Sequence, residues 1–121
     1  MRCKPLIFGN ATRLIEIPIA WSLDDFPHFE FLRMETQLMP GLMNANHVIE
    51  NWINDFVYMK AHLEWGVLTY TLHPYVIGRG HRMMALEKLL KAVAEGAGVF
   101  VTMEDAAREY DQRHPMTSAI P

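Results

Sequence analysis

Three apolar, β-rich runs in this chain each give way to a segment whose apolar residues recur at helical spacing, and that alternation leaves few folds open. The runs are Leu14–Ala20, Val67–Leu72 and Val99–Val101. Their Val, Ile, Leu, Thr and Tyr content suits strands. Val67–Leu72 is apolar or β-branched almost throughout, as in a strand buried on both faces. Pro18 marks either the end of the first strand or a point where its backbone faces a cavity. A shorter run, Leu6–Phe8, is set off by Gly9-Asn10.

The intervening segments carry the helical period. Ala45–Trp65 places Ile49, Trp52, Ile53, Phe56, Val57, Lys60 and Leu63 mostly on one face, with Asn44 or Asn46 to cap it and Gly66 to stop it. Arg82–Ala94 shows a stripe of Met83, Leu86, Leu90 and Val93, widened by Leu89 and ended by Gly96 and Gly98. Glu104–Tyr110 follows a capping box, Thr102 to Asp105, in which the hydroxyl and the carboxylate satisfy free amides. "METQLMPGLMN" has room for one short helical turn before Pro40-Gly41, and 112–121 reads as a tail. Serial strand–helix pairs require parallel strands, right-handed crossovers and helices covering the sheet. The expected fold class is α/β, in a single domain over residues 1–121.

Half of the 121 residues are hydrophobic and 21% are charged, enough for a packed core. A net charge of −3 and a pI near 6.0 supply no basic footprint for nucleic acid. The lone Cys3 makes no internal disulfide, "MRCKPLIFGNATR" has no apolar signal core, and no run approaches membrane-spanning length. A cytoplasmic protein is expected, with neither nucleic acid nor membrane as partner.

In parallel α/β folds, functional loops lie at the C-terminal ends of strands. Two polar clusters occupy such ends: Trp21 to His28, which includes Asp24 and Asp25, and His73-Pro74 with Gly78-Arg79-Gly80. They are expected to open on one side of the sheet. A carboxylate beside a histidine raises the imidazole pKa and orients the ring, which suits it to donate a proton. The plainer readings are a turn histidine, two solvated aspartates and a surface arginine.

"EIPIAWSLDDFPHF" (Glu16–Phe29), "LTYTLHPYVIGRGHRMMALEKLL" (Leu68–Leu90) and "GVFVTMEDAA" (Gly98–Ala107) resemble, in order and spacing, the C-terminal part of polysaccharide deacetylase family proteins, in the branch with peptidoglycan-deacetylase-like and allantoinase-like members. The resemblance implies a partial (β/α) barrel. It also implies kinship with metal-dependent hydrolases that remove N-acetyl or similar amide groups from carbohydrates. It makes His73 the acid that protonates the leaving amine, with Asp24 and Asp25 tuning it. Trp21 and Arg79 are expected at the substrate.

The family's metal ligands and catalytic base belong to an N-terminal half that has no counterpart here. His28, His47, His62, His73, His81 and His114 include no i, i+4 pair and no H-E-x-x-H. Zinc or another divalent metal is implied for the family, yet none is expected to be bound by this chain alone. Strand edges left by a partial barrel invite pairing. The chain is therefore expected to be a homo-oligomer, or to take its missing half-barrel from a companion chain. Three readings follow: a truncated deacetylase-like part, inactive alone; a non-catalytic remnant binding a glycan or protein; and an oligomeric α/β module. The nine methionines read as core filler or an association surface, and Trp52 and Phe56 as core.

Overall fold

A computed structural model describes residues 14–33, 35–39 and 41–115. Leu6–Phe8, Cys3 and the end of the expected tail lie outside them. The described chain runs as a 3₁₀ turn (Trp21–Leu23), α1 (Asp25–Phe29), β1 (Leu32–Arg33), β2 (Leu38–Met39), α2 (Ala45–His62), α3 (Pro74–Ile77), α4 (Gly80–Glu95) and α5 (Met103–Arg113).

The long helices form where the sequence asks for them. Asn44 caps α2, its Oδ1 accepting from the amide of Asn46 at 2.9 Å. The buried face is Ala45, Val48, Ile49, Trp52 and Phe56, while Val57 and Leu63 are exposed. Along α4 the buried stripe is Arg82, Ala85, Leu86, Leu89 and Val93, and Met83 and Leu90 face outward. The two faces pack on each other, joined by Leu23, Phe29, Val76 and Ile77. Each of these large apolar side chains contributes about 1.5–3 kcal/mol relative to exposure.

Helix α4 ends in a Schellman motif. The amide of Gly98 donates to the carbonyl of Val93 at 2.8 Å and that of Ala97 to Ala94 at 3.2 Å. The left-handed residue is Ala97, with φ 61°, rather than either flanking glycine. Thr102 caps α5: its hydroxyl accepts from the amide of Asp105 at 3.1 Å and donates to the Asp105 carboxylate at 2.7 Å. The carboxylate thus takes the hydroxyl rather than an amide. Helix α5 runs through Arg113, two residues into the segment expected as a tail.

The strands depart from expectation. Among the described residues the only sheet is the two-residue antiparallel pair of β1 and β2, in register Leu32↔Met39 and Arg33↔Leu38. Its second strand, β2, lies in the segment expected to hold a helical turn. Gly41 beside it lies so close to the backbone of Glu30 that a side chain there would collide. None of Leu14–Ala20, Val67–Leu72 and Val99–Val101 forms a ladder, so a partial barrel is not observed. The physical reason is that a strand is a pairing and not a local conformation. What remains of parallel pairing is one isolated bridge, Asp24 with Thr71. The amide of Thr71 donates to the carbonyl of Leu23 at 2.9 Å, and the amide of Asp25 to Thr71 at 3.0 Å.

Segment 67–72 was also expected to be buried on both faces. Instead Leu68 and Tyr70 lean on the core while Val67 and Leu72 are exposed. Val99, Phe100 and Val101 are more open still, Val99 at 80%. Between these segments and the α2–α4 layer runs an apolar trough of about 590 Å³, lined among others by Phe56, Met59, Leu89, Val93 and Phe100. Among the described residues no helix is long and apolar enough to cross a membrane.

Candidate functional site

The bridge between Asp24 and Thr71 brings the two polar clusters together. Asp24 caps α1, its Oδ1 accepting from the amide of Phe26 at 2.8 Å. This turn sets Asp25, the next residue, pointing inward, where it is completely buried. His73 is the residue before Pro74, which opens α3; the fixed φ of proline suits a first helical turn and leaves His73 extended at its N-cap.

An isolated carboxylate in the interior would be costly, and Asp25 avoids that by bonding twice to one residue. Its Oδ2 accepts from the backbone amide of His73 at 2.9 Å, and its Oδ1 bonds Nδ1 of the His73 ring at 2.7 Å. Since an ionised carboxylate only accepts, Nδ1 carries a proton and Nε2 is the nitrogen left for chemistry. The His73 side chain is 35% exposed, and Asp24 Oδ1 lies 3.8 Å from Nδ1. The His73 pKa is raised, chiefly by the hydrogen bond to Asp25. Desolvation opposes the rise, and the negative charges of Asp25 and Asp24 add to it.

Two aromatic rings flank the imidazole edge-on, Phe26 at 5.7 Å and Tyr75 at 5.8 Å between centroids. Trp21 stands 74% exposed on the turn leading into the same cluster. The turn is fastened from below. The carbonyl of Ser22 accepts from the indole of Trp52 at 2.6 Å and from Nε2 of His28 at 2.9 Å. Tyr70 donates its hydroxyl to the carbonyl of Trp52, and burial, with Asp55 adding, pushes its pKa up to about 12.

Asp25 and His73 are therefore joined directly, with Asp24 beside them. Arg79 is an exposed N-cap of α4 and makes no side-chain capping bond. Tyr75 and Arg82 are the residues that sequence reasoning missed. A signal for Arg82 existed: the stripe Leu89, Leu86, Ala85, carried back one turn, falls on position 82. An arginine there must be buried.

Asp24, Asp25 and His73 also form a group whose potential metal-ligand atoms lie within 4.8 Å of one another. Their bonding does not fit a resident zinc or similar ion. A metal taking Nδ1 and Oδ1 would have to break the 2.7 Å bond between them, and the second oxygen of Asp25 is held by an amide. Asp24 Oδ1 is committed to Phe26. Zinc sites need about three ligands free to face the ion.

The sequence is 31% identical to a peptidoglycan deacetylase of Helicobacter pylori, over 93% of this chain and 38% of that protein. It is 29% identical to the peptidoglycan deacetylase-like protein FGM2 of Gibberella zeae, over 88% of this chain and 34% of that protein. The chain thus spans little more than a third of the length of these curated relatives. No family model matches the sequence. No solved structure matches it.

Proposed function

Since this chain belongs to the polysaccharide deacetylase family, we propose that it carries the proton-donating part of a site that hydrolyses amide groups on a glycan. The substrate class suggested by the relatives' names is the N-acetylated sugar of peptidoglycan. The observation that carries the reading is the 2.7 Å bond from Nδ1 of His73 to a fully buried carboxylate.

Hydrolysis of an N-acetyl group adds water across the carbonyl and breaks the C–N bond. The departing nitrogen leaves as an amine only if it receives a proton as that bond breaks. Protonated His73 donates it from Nε2, becomes neutral, and is reprotonated from solvent. Asp25 fixes the ring through Nδ1 and favours the charged form beforehand. Trp21 offers an exposed aromatic face to a sugar ring, and Arg79 an exposed cation to an acidic group.

Activation of the attacking water has no evident source among the described residues, and the Asp24–Asp25–His73 group is a hydrogen-bonded acid rather than a metal cage. A general acid supplies ~10²–10⁴-fold, too little by itself for an amide. We therefore expect the chain alone to release no acetate from acetylated chito-oligosaccharides or peptidoglycan fragments. Completion needs a water-activating part beyond the described residues, on the same or another polypeptide, which would pair along segments 67–72 and 98–102.

Mixing the chain with the N-terminal part of a relative is the test. Acetate release that needs both pieces and is lost in His73→Ala supports the reading. Turnover that survives His73→Ala overturns the acid assignment. Turnover by the chain alone overturns the need for a companion.

A further inference from the structure

We propose that Arg82 is the positioning residue that holds His73 and Asp25 in register, a role that rests on the acid reading above. The dyad is built on two very short helices. Asp25 begins α1, of five residues, and His73 caps α3, of four. Helices this short do not hold themselves in water, so the geometry at their N-terminal ends needs an outside anchor.

Arg82 supplies that anchor at the opposite ends of both. Its Nη1 donates to the carbonyl of Val76 in α3 at 2.7 Å and to Glu30 at 3.3 Å. Its Nη2 donates to the carbonyl of Phe29, the last residue of α1, at 3.2 Å. The guanidinium also lies over the Phe29 ring, 4.8 Å from its centroid. One planar fork, itself buried, thus ties α1 to α3 from a residue rooted in α4, a long helix of the core. The amides of Val76 and Ile77 both bond the carbonyl of His73, at 2.8 and 2.9 Å, so a pull on Val76 is felt at His73 within one turn.

The arrangement is a poor way to gain stability. The Arg82 Nε is buried without a hydrogen-bond partner, and a buried cation must overcome a desolvation cost that an apolar residue at the same place avoids. Its distinctive product is geometry: three donors in one plane, aimed at two helices and the residue that follows the first.

The test needs no turnover. The groups facing the His73 ring are Asp25, Asp24 and the rings of Phe26 and Tyr75. The readouts are the His73 imidazole midpoint by NMR titration and hydrogen exchange at the His73 amide, in the wild-type chain, Arg82→Lys, Arg82→Met and Leu89→Ala. Leu89→Ala loosens the α2–α4 core about two turns along α4 from Arg82 and removes none of the clamp's hydrogen bonds. In both Arg82 variants the midpoint should fall toward the ordinary imidazole range, and exchange at the His73 amide should rise about tenfold relative to α2 amides, as expected for losing hydrogen bonds to a charged group. Leu89→Ala should leave the midpoint unchanged.

A folded Arg82→Lys with the wild-type midpoint overturns the proposal, as does an equal shift in Leu89→Ala. Should neither Arg82 variant fold, Glu30→Gln decides, because it weakens the clamp and leaves the arginine in place. A lowered midpoint there supports the proposal and an unchanged one overturns it. An ordinary midpoint in the wild-type chain defeats the acid reading first and the positioning role with it.

Discussion

The corner around Asp25 and His73 and the wall formed by segments 67–72 and 98–102 are built in opposite ways. In the corner, polar groups find partners within the chain: both oxygens of Asp25 go to His73, the Ser22 carbonyl takes two donors, and Arg82 spans two helices. Along the wall, Val99, Phe100 and Val101 stand exposed outside any helix or ladder. Side-chain bonds and helix caps are completed by groups this chain carries. A sheet is completed only by a neighbouring strand.

Breaking the corner at its base has the largest expected effect. Trp52→Ala removes a buried indole and the donor that holds the Ser22 carbonyl. It should destabilise the chain by about 3–5 kcal/mol in urea unfolding. Asp25→Ala strips His73 of two hydrogen bonds and should cost about 1–3 kcal/mol. It should also change the pH dependence. The His73 pKa is raised in the folded state, so its protonation contributes stability in full below the unfolded value, about 6.5. That contribution is lost as pH rises through the folded-state value. The stability gap between wild type and Asp25→Ala should therefore narrow on titration upward from about pH 6.5. A gap independent of pH would mean that the dyad does not titrate as bonded.

Two helix ends give mid-sized effects of opposite sign. Thr102→Ala removes the α5 cap and should cost about 1 kcal/mol. Ala97→Gly relieves a left-handed alanine and should stabilise by roughly 0.5–1 kcal/mol, provided the Schellman bonds are kept. Both are read from thermal or urea melts. The smallest effect belongs to the wall. Phe100→Ser should change the stability of the isolated chain by less than about 0.5 kcal/mol. In sedimentation the same change should weaken any association with itself or a companion. A large loss of stability in the monomer would show that the wall is already packed and would erase the contrast drawn here.

What the sequence made legible follows the same division. The three long helices were readable because caps and apolar spacing are local, and Asn44 and Thr102 cap where expected. On α4 the expected stripe holds at Leu86, Leu89 and Val93 and fails at Met83 and Leu90, which stand outside; Arg82 and Ala85 complete the buried side. Leaving position 82 out of the stripe hid the buried arginine. The strand segments were recognisable as extended and apolar, but no local rule says whether a partner is present. The nearness of Asp25 and His73 was suggested by their places after β-type runs. The pair of hydrogen bonds between them was not, because it depends on a turn that buries Asp25 while Asp24 caps.

The lone rung between Asp24 and Thr71 also sets a timetable. Asp25 and His73 are 48 positions apart, and closing a loop of that length costs on the order of 3 kcal/mol in chain entropy. Helices form in about a microsecond or less, so α2 and α4 can meet before this closure is made. Once made, it need not be made again. A strand arriving later beside segment 67–72 would start from a fixed end and zip residue by residue, each new rung costing only the ordering of its own backbone.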